Sequence, residues 1–120
     1  MTRLLNIFNP VLLIGAFSNS INGLVGAIKS ERAVQQEIVL IIAGVIAAFM
    51  LTDSSVERAI LIGSLAIVLI VELVNSALEA TIDRIGPEIH PLSKQAKDLG
   101  SAAVLVSLIT SAVLWVIILI

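Results

Sequence analysis

Glu72-Leu-Val-Asn75-Ser76-Ala-Leu-Glu79-Ala-Thr-Ile-Asp83 directly follows thirteen uncharged, almost wholly apolar residues, Ala59 to Val71. At about 100° per residue, Glu72, Asn75, Glu79 and Asp83 fall within an arc of roughly 80° on one helix. Three carboxylates and an amide on one face, continuing out of a membrane-grade helix, are costly to keep there. Such a stripe marks a place where a cation or a proton is handled.

Composition agrees with a membrane setting. Of 120 residues, 58% are hydrophobic and 13% charged, more apolar surface than a soluble fold of this size can bury. There is no cysteine, so disulfides and thiol chemistry are excluded. A net charge of −2 gives no reason to expect a nucleic-acid partner. The first apolar run is interrupted by Asn6, Asn9 and Pro10 and does not have the form of a cleavable signal. The sequence reads as one small all-α integral membrane domain over residues 1–120.

Four segments organise it. Residues 11–29, after Pro10, form an amphipathic helix with Ile14, Phe17, Ile21, Leu24, Val25 and Ile28 on one arc. Ser18, Asn19, Asn22 and Lys29 lie on another, the pattern of a helix resting in the membrane interface; packing on its own bundle would give the same pattern. A first span covers about 34–52, because Ile38 to Leu51 is apolar throughout. Ser54 and Glu57 have capping-box spacing for a second helix over 55–84, which Gly86-Pro87 ends. After a loop to Leu92, Ser93 is a cap candidate for a last helix over 94–119, and Leu99 to Ile120 suffices to span.

Basic residues set an orientation. Arg3, Lys29 and Arg32 precede the first span, and Arg84, Lys94 and Lys97 lie between the second and third. The positive-inside bias predicts a cytoplasmic N-terminus and second loop, with the C-terminus on the far, periplasmic side. A helix from Ser55 to Arg84 is about 45 Å long against a hydrocarbon core of ~30 Å. Glu72 then sits a few ångströms below the hydrocarbon boundary, with Glu79 and Asp83 among headgroups and water.

The second loop supplies the complementary charge. Lys97-Asp98 opens the last helix with Ser101 one turn on, and a lysine there can neutralise phosphate oxygens. Acidic oxygens suited to magnesium, facing a lysine suited to phosphate, are a minimal set for phosphoryl transfer. Structural readings compete. Asn75 and Ser76 could bond neighbouring helices, Glu79 and Asp83 could be solvated helix ends, and Ala103, Ser107 and Ser111 form a small-residue packing stripe. Gly23-Leu-Val-Gly26-Ala-Ile-Lys29-Ser30 only imitates a phosphate loop, since its lysine does not follow the second glycine.

Glu72 to Gly86 strongly resembles the signature of the small prokaryotic diacylglycerol kinases, and Ala96-Lys97-Asp98-Leu-Gly100-Ser101-Ala-Ala-Val resembles that family's second block. The likeness runs from about Ser30 to Trp115 and includes Glu31 and Glu37. It implies a homotrimer in the bacterial inner membrane, each subunit with a surface helix and three spans. It also implies transfer of the γ-phosphate of magnesium-bound ATP to diacylglycerol, giving phosphatidic acid. By position it makes Glu72 the general base, Glu31 and Glu79 the metal ligands, and Asn75 and Asp83 their supports. Glu31, Glu79, Glu88, His90, Lys97 and Asp98 would meet the nucleotide, and Glu72, Ser101 and Trp115 the lipid. Departures fall in the first half: Asn19-Ser20 replaces the family's Tyr-Ser, Val34-Gln35 its Phe-Arg, and only Arg3 offers an early basic residue. Undecaprenol-phosphorylating relatives typically lack the Gly100-Ser101-Ala102-Ala103 segment, which favours diacylglycerol. Undecaprenol kinase is the alternative. A small proton-coupled transporter is the remoter one, though such exporters have four spans and an isolated early glutamate.

Overall fold

The computed structural model describes residues 2–120, with side chains from Arg3 onward. Every element in it is helical: α1 (Thr2–Leu5), α2 (Pro10–Ser30), α3 (Arg32–Leu51), α4 (Ser55–Ile85) and α5 (Pro91–Leu119). The short α1 has no counterpart in the sequence reading. The chain divides after Arg32 into two compact units. By length and composition, α2, α3, α4 and α5 are each able to cross a membrane.

In the first unit, Asn9 caps α2 by accepting a 3.0 Å hydrogen bond from the Val11 amide, and Pro10 takes the first helical position. No α2 residue is buried, and its apolar arc is exposed, with Ile14 at 69% and Phe17 at 68%. Ser20 and Ser30 return their hydroxyls to the carbonyls of Ala16 and Gly26, so neither needs water. The helix ends at Glu31, whose amide donates to Ala27.

The second unit is built on α4 packed against α5, with α3 alongside. The buried face of α4 is Leu61, Ser64, Leu65, Val68, Glu72 and Asn75, one stripe at helical spacing. It meets Ser107 and Ser111 of α5, and Ser64 and Ser111 hydrogen-bond at 2.8 Å. Of the small-residue stripe read from sequence, Ser107 and Ser111 are thus in the packing, whereas Ala103 is exposed. From α3 come Val34, Glu37, Gly44 and Ala48, spaced to share one face. A Cβ on Gly44 would collide with Leu65 Cδ1 and lie 3.5 Å from the Trp115 ring, so glycine lets α3 approach both neighbours.

Side chains close both turns. Between α3 and α4, Ser54 caps α4 by accepting from the Glu57 amide at 3.3 Å. The reciprocal half of the capping box is absent: Glu57 accepts from the Thr52 hydroxyl instead, and the Ser54 amide donates to Thr52 Oγ1. Arg58 reaches back to the carbonyls of Thr52 (2.8 Å) and Phe49 (3.3 Å) and lies 4.4 Å from the Phe49 ring centroid. It thereby satisfies carbonyls that the end of α3 leaves unpaired. Between α4 and α5, the helix begins at Pro91 rather than at 94, and the cap is His90 rather than Ser93. His90 Nδ1 accepts from the Leu92 amide at 3.1 Å, and Pro91 fits the first turn, where no amide is required.

Candidate functional site

The carboxylate stripe of α4 continues its buried face. Leu61 to Val68 pack as an ordinary core, and one turn further the same face presents Glu72 and Asn75, 8% and 9% exposed. Glu79 follows half-buried and Asp83 exposed, so the stripe passes from core to surface along a single helix. Its geometry is therefore the one read from the sequence.

Asn75 owes its place to Gly100 on α5. A Cβ there would collide with Asn75 Oδ1 and sit 3.3 Å from its Cγ, so only glycine lets the amide lie against the facing backbone. Asn75 Oδ1 is buried without a hydrogen-bond partner among the described residues. An acceptor left so costs about 1–3 kcal/mol.

The charged rim joins α4 to α5. Lys97 Nζ lies 2.7 Å from Asp83 Oδ1, and Glu79, one turn earlier on α4, is its second electrostatic neighbour. Lys94 Nζ pairs with Asp98 Oδ2 at 2.6 Å within α5. The lysine and the acidic stripe are thus brought together, as the sequence anticipated. Ser101 is exposed one turn beyond Lys97, and Glu88 is exposed in the loop. His90 is engaged as the cap of α5. Glu31 lies in the first unit, at the end of α2.

Trp115 is not gathered with Ser101. The two are fourteen residues apart on α5, about 21 Å. Trp115 lines instead an apolar crevice of about 420 Å³ between α3, α4 and α5, with Leu40, Gly44, Leu65 and Ser111. Glu37 borders the same crevice, 8% exposed, and its Oε2 and Trp115 Nε1 are both buried without a partner among the described residues. Glu37 is also an electrostatic neighbour of Glu72. Sequence reasoning carried it only within the matching stretch. The signal was its spacing from Val34, Gly44 and Ala48, which puts it on the buried face of α3.

Among the described residues, no three Asp, Glu, His or Cys side chains converge on a closed metal site. Glu79 offers a hard oxygen donor beside a lysine, the chemistry of a cation shared between protein and a phosphate ligand.

These features define an all-helical membrane protein in which an acidic stripe on α4 meets a lysine of α5 at one end of the pair. A profile of the prokaryotic diacylglycerol kinase family matches residues 18–119. A diacylglycerol kinase of Escherichia coli K12 is 45% identical over 107 residues, covering 89% of this chain and 88% of the relative. One from Pseudomonas aeruginosa is also 45% identical over 107 residues, covering 89% and 87%, and one from Helicobacter pylori J99 is 37% identical over 103, covering 86% and 80%. The chain belongs to the prokaryotic diacylglycerol kinase family.

Proposed function

We propose that this protein is an ATP-dependent diacylglycerol kinase, transferring the γ-phosphate of ATP to the lipid hydroxyl to give phosphatidic acid. The observation that carries the assignment is the stripe Glu72, Asn75, Glu79, which leaves a packed helix face and meets Lys97 at its rim. Family membership supports it, since the relatives bear that activity in their names.

Glu72 is the base. Buried on a face continuous with the apolar core, it is the carboxylate of the stripe best placed for a lipid hydroxyl. As the lipid oxygen bonds to the γ-phosphorus, its proton passes to Glu72 and the bond from phosphorus to the β,γ-bridging oxygen breaks, releasing ADP. Glu79 and Glu31 would be the carboxylates that hold Mg²⁺, a hard cation suited to such oxygens. When bound, it would supply neutralising charge for the nucleotide phosphates. Asn75 keeps the neighbouring carboxylate in register, and Lys97 takes phosphate oxygens through its ammonium, nearly two turns inside α5 rather than at its first amides. Asp98, Glu88 and the His90-capped turn border the nucleotide, and Ser101 the lipid acceptor. Trp115 contacts the acyl portion in the apolar crevice rather than the hydroxyl.

The working unit is a homotrimer in the bacterial inner membrane, with α2 on the cytoplasmic surface and α3, α4 and α5 spanning. Three spans and one surface helix offer too few faces to enclose both a lipid hydroxyl and a nucleotide, which supports sites shared between subunits. The test is transfer of label from [γ-³²P]ATP to dioleoylglycerol or to undecaprenol in mixed micelles. Magnesium-dependent labelling of dioleoylglycerol is expected. Labelling of undecaprenol alone would reassign the acceptor, and labelling of neither would reject the kinase.

A further inference from the structure

We propose that Asp83 is a positioning residue: it holds the Lys97 ammonium across the α4–α5 turn in the place where Lys97 takes nucleotide phosphate. The proposal rests on the reading of Lys97 as a phosphate ligand and adds a residue through which that lysine acts.

Lys97 has no partner on its own helix. The positions three and four away are Ser93, Lys94, Gly100 and Ser101, none of them acidic. The adjacent Asp98 is engaged by Lys94 at 2.6 Å. What holds Lys97 comes from α4, where Asp83 Oδ1 stands 2.7 Å from Nζ. The connection between them is short, and its geometry is fixed by the end of α4 at Gly86 and the His90 cap of α5. The pair therefore bridges two packed helices rather than closing a flexible loop.

A lysine ammonium has three donors, and Asp83 takes one. Two remain for phosphate oxygens. A free lysine carries about 2 kcal/mol of rotamer entropy, part of which must be lost when it grips an anion. A lysine already tethered to Asp83 has lost part of it in advance, and binding gains by that amount. The pair is exposed, with side-chain exposures of 43% for Lys97 and 67% for Asp83, so the effect is modest. The opposite arrangement, in which Asp83 competes with phosphate for Lys97, would give the opposite sign.

The experiment measures KM for MgATP and for dioleoylglycerol, with thermal stability, on the full-length protein in mixed micelles. The variants are Asp83→Ala, Asp83→Asn, Lys97→Ala and the double variant Asp83→Ala/Lys97→Ala. Asp83→Ala is expected to raise KM for MgATP by about two- to fivefold, the range an exposed ion pair supports. KM for the lipid and thermal stability should stay unchanged. Asp83→Asn keeps the accepting oxygen and should recover most of the loss. In the Lys97→Ala background, removing Asp83 should cost nothing further. An unchanged or lowered KM in Asp83→Ala overturns the proposal. So does an equal rise in the Lys97→Ala background, which would show that Asp83 acts elsewhere. A normal KM in Lys97→Ala with intact kinase activity removes Lys97 from the nucleotide site, and the proposal with it. Absence of activity in the unsubstituted protein rejects the kinase reading itself.

Discussion

The two turns that end α4 are closed by opposite strategies. At the 52–58 turn, polar groups are paired within a few residues: Thr52 with Glu57, Ser54 with the Glu57 amide, and Arg58 with two carbonyls, Asp53 and the Phe49 ring. At the other end, the His90 cap and the Lys94–Asp98 pair are local, but Asp83 pairs with Lys97 between helices, and buried Asn75 holds an oxygen with no partner among the described residues. The first end invests its hydrogen bonds in holding α3 to α4. The second carries the groups proposed above for the chemistry. Substitutions at the first should therefore change stability and leave chemistry alone, and those at the second the reverse.

The largest effect is expected at Glu79. Glu79→Gln keeps the size and removes the hard anionic donor, so turnover should fall by about a hundredfold or more, the scale on which even the supporting groups of a metal site matter. The fall should be accompanied by a raised magnesium requirement, and titration of the rate with Mg²⁺ checks both. Full activity at the wild-type magnesium midpoint would remove Glu79 from the metal.

Next comes Gly100→Ala. The added methyl must displace Asn75, and misplacing a catalytic support by about 1 Å can cost up to about a hundredfold in rate. Steady-state kinetics beside thermal unfolding would show whether kcat falls more than stability does. Equal losses of both would reduce Gly100 to a packing residue.

Arg58→Ala sharpens the comparison from the other side. It removes hydrogen bonds from two carbonyls and a stacked cation, worth about 1–3 kcal/mol together if the carbonyls are left unpaired. Thermal unfolding in detergent should shift down while kcat per folded protein stays within about twofold. A selective loss of kcat would mean that the two ends are coupled.

Much of this contrast was legible in the sequence, because helical periodicity transmits directly into the fold. The stripe from Glu72 to Asp83 could be placed on one face by spacing alone, and Lys97 could be set opposite because Gly86-Pro87 forces a short turn. What escaped was which of several nearby polar groups wins a cap, and which residues the packing buries. Ser93 looked like a cap, yet His90 caps α5 because Pro91 already suits the first helical turn. Ser54 and Glu57 had the spacing of a reciprocal box, but Thr52 captured the Glu57 carboxylate first. Glu37 was carried only within the matching stretch, although its spacing from Val34, Gly44 and Ala48 puts it on the buried face of α3. The sequence also could not show that Trp115 lines the crevice between α3, α4 and α5, well away from the charged rim.

The central claim is that the buried carboxylate of the stripe, Glu72, does the chemistry while the less buried Glu79 serves the nucleotide and its metal. The measurement that tests it most directly is kcat beside MgATP affinity for Glu72→Gln and Glu72→Asp, in protein that still assembles. Retracting the carboxylate by one methylene, ~1.5 Å, spoils the alignment as surely as removing its charge. Both variants should lose kcat by about a hundredfold or more, in keeping with the loss of a general base, and bind MgATP within a few-fold of the unsubstituted protein. Loss of MgATP binding with the residual chemical rate unchanged would make Glu72 a nucleotide or metal ligand and contradict the assignment.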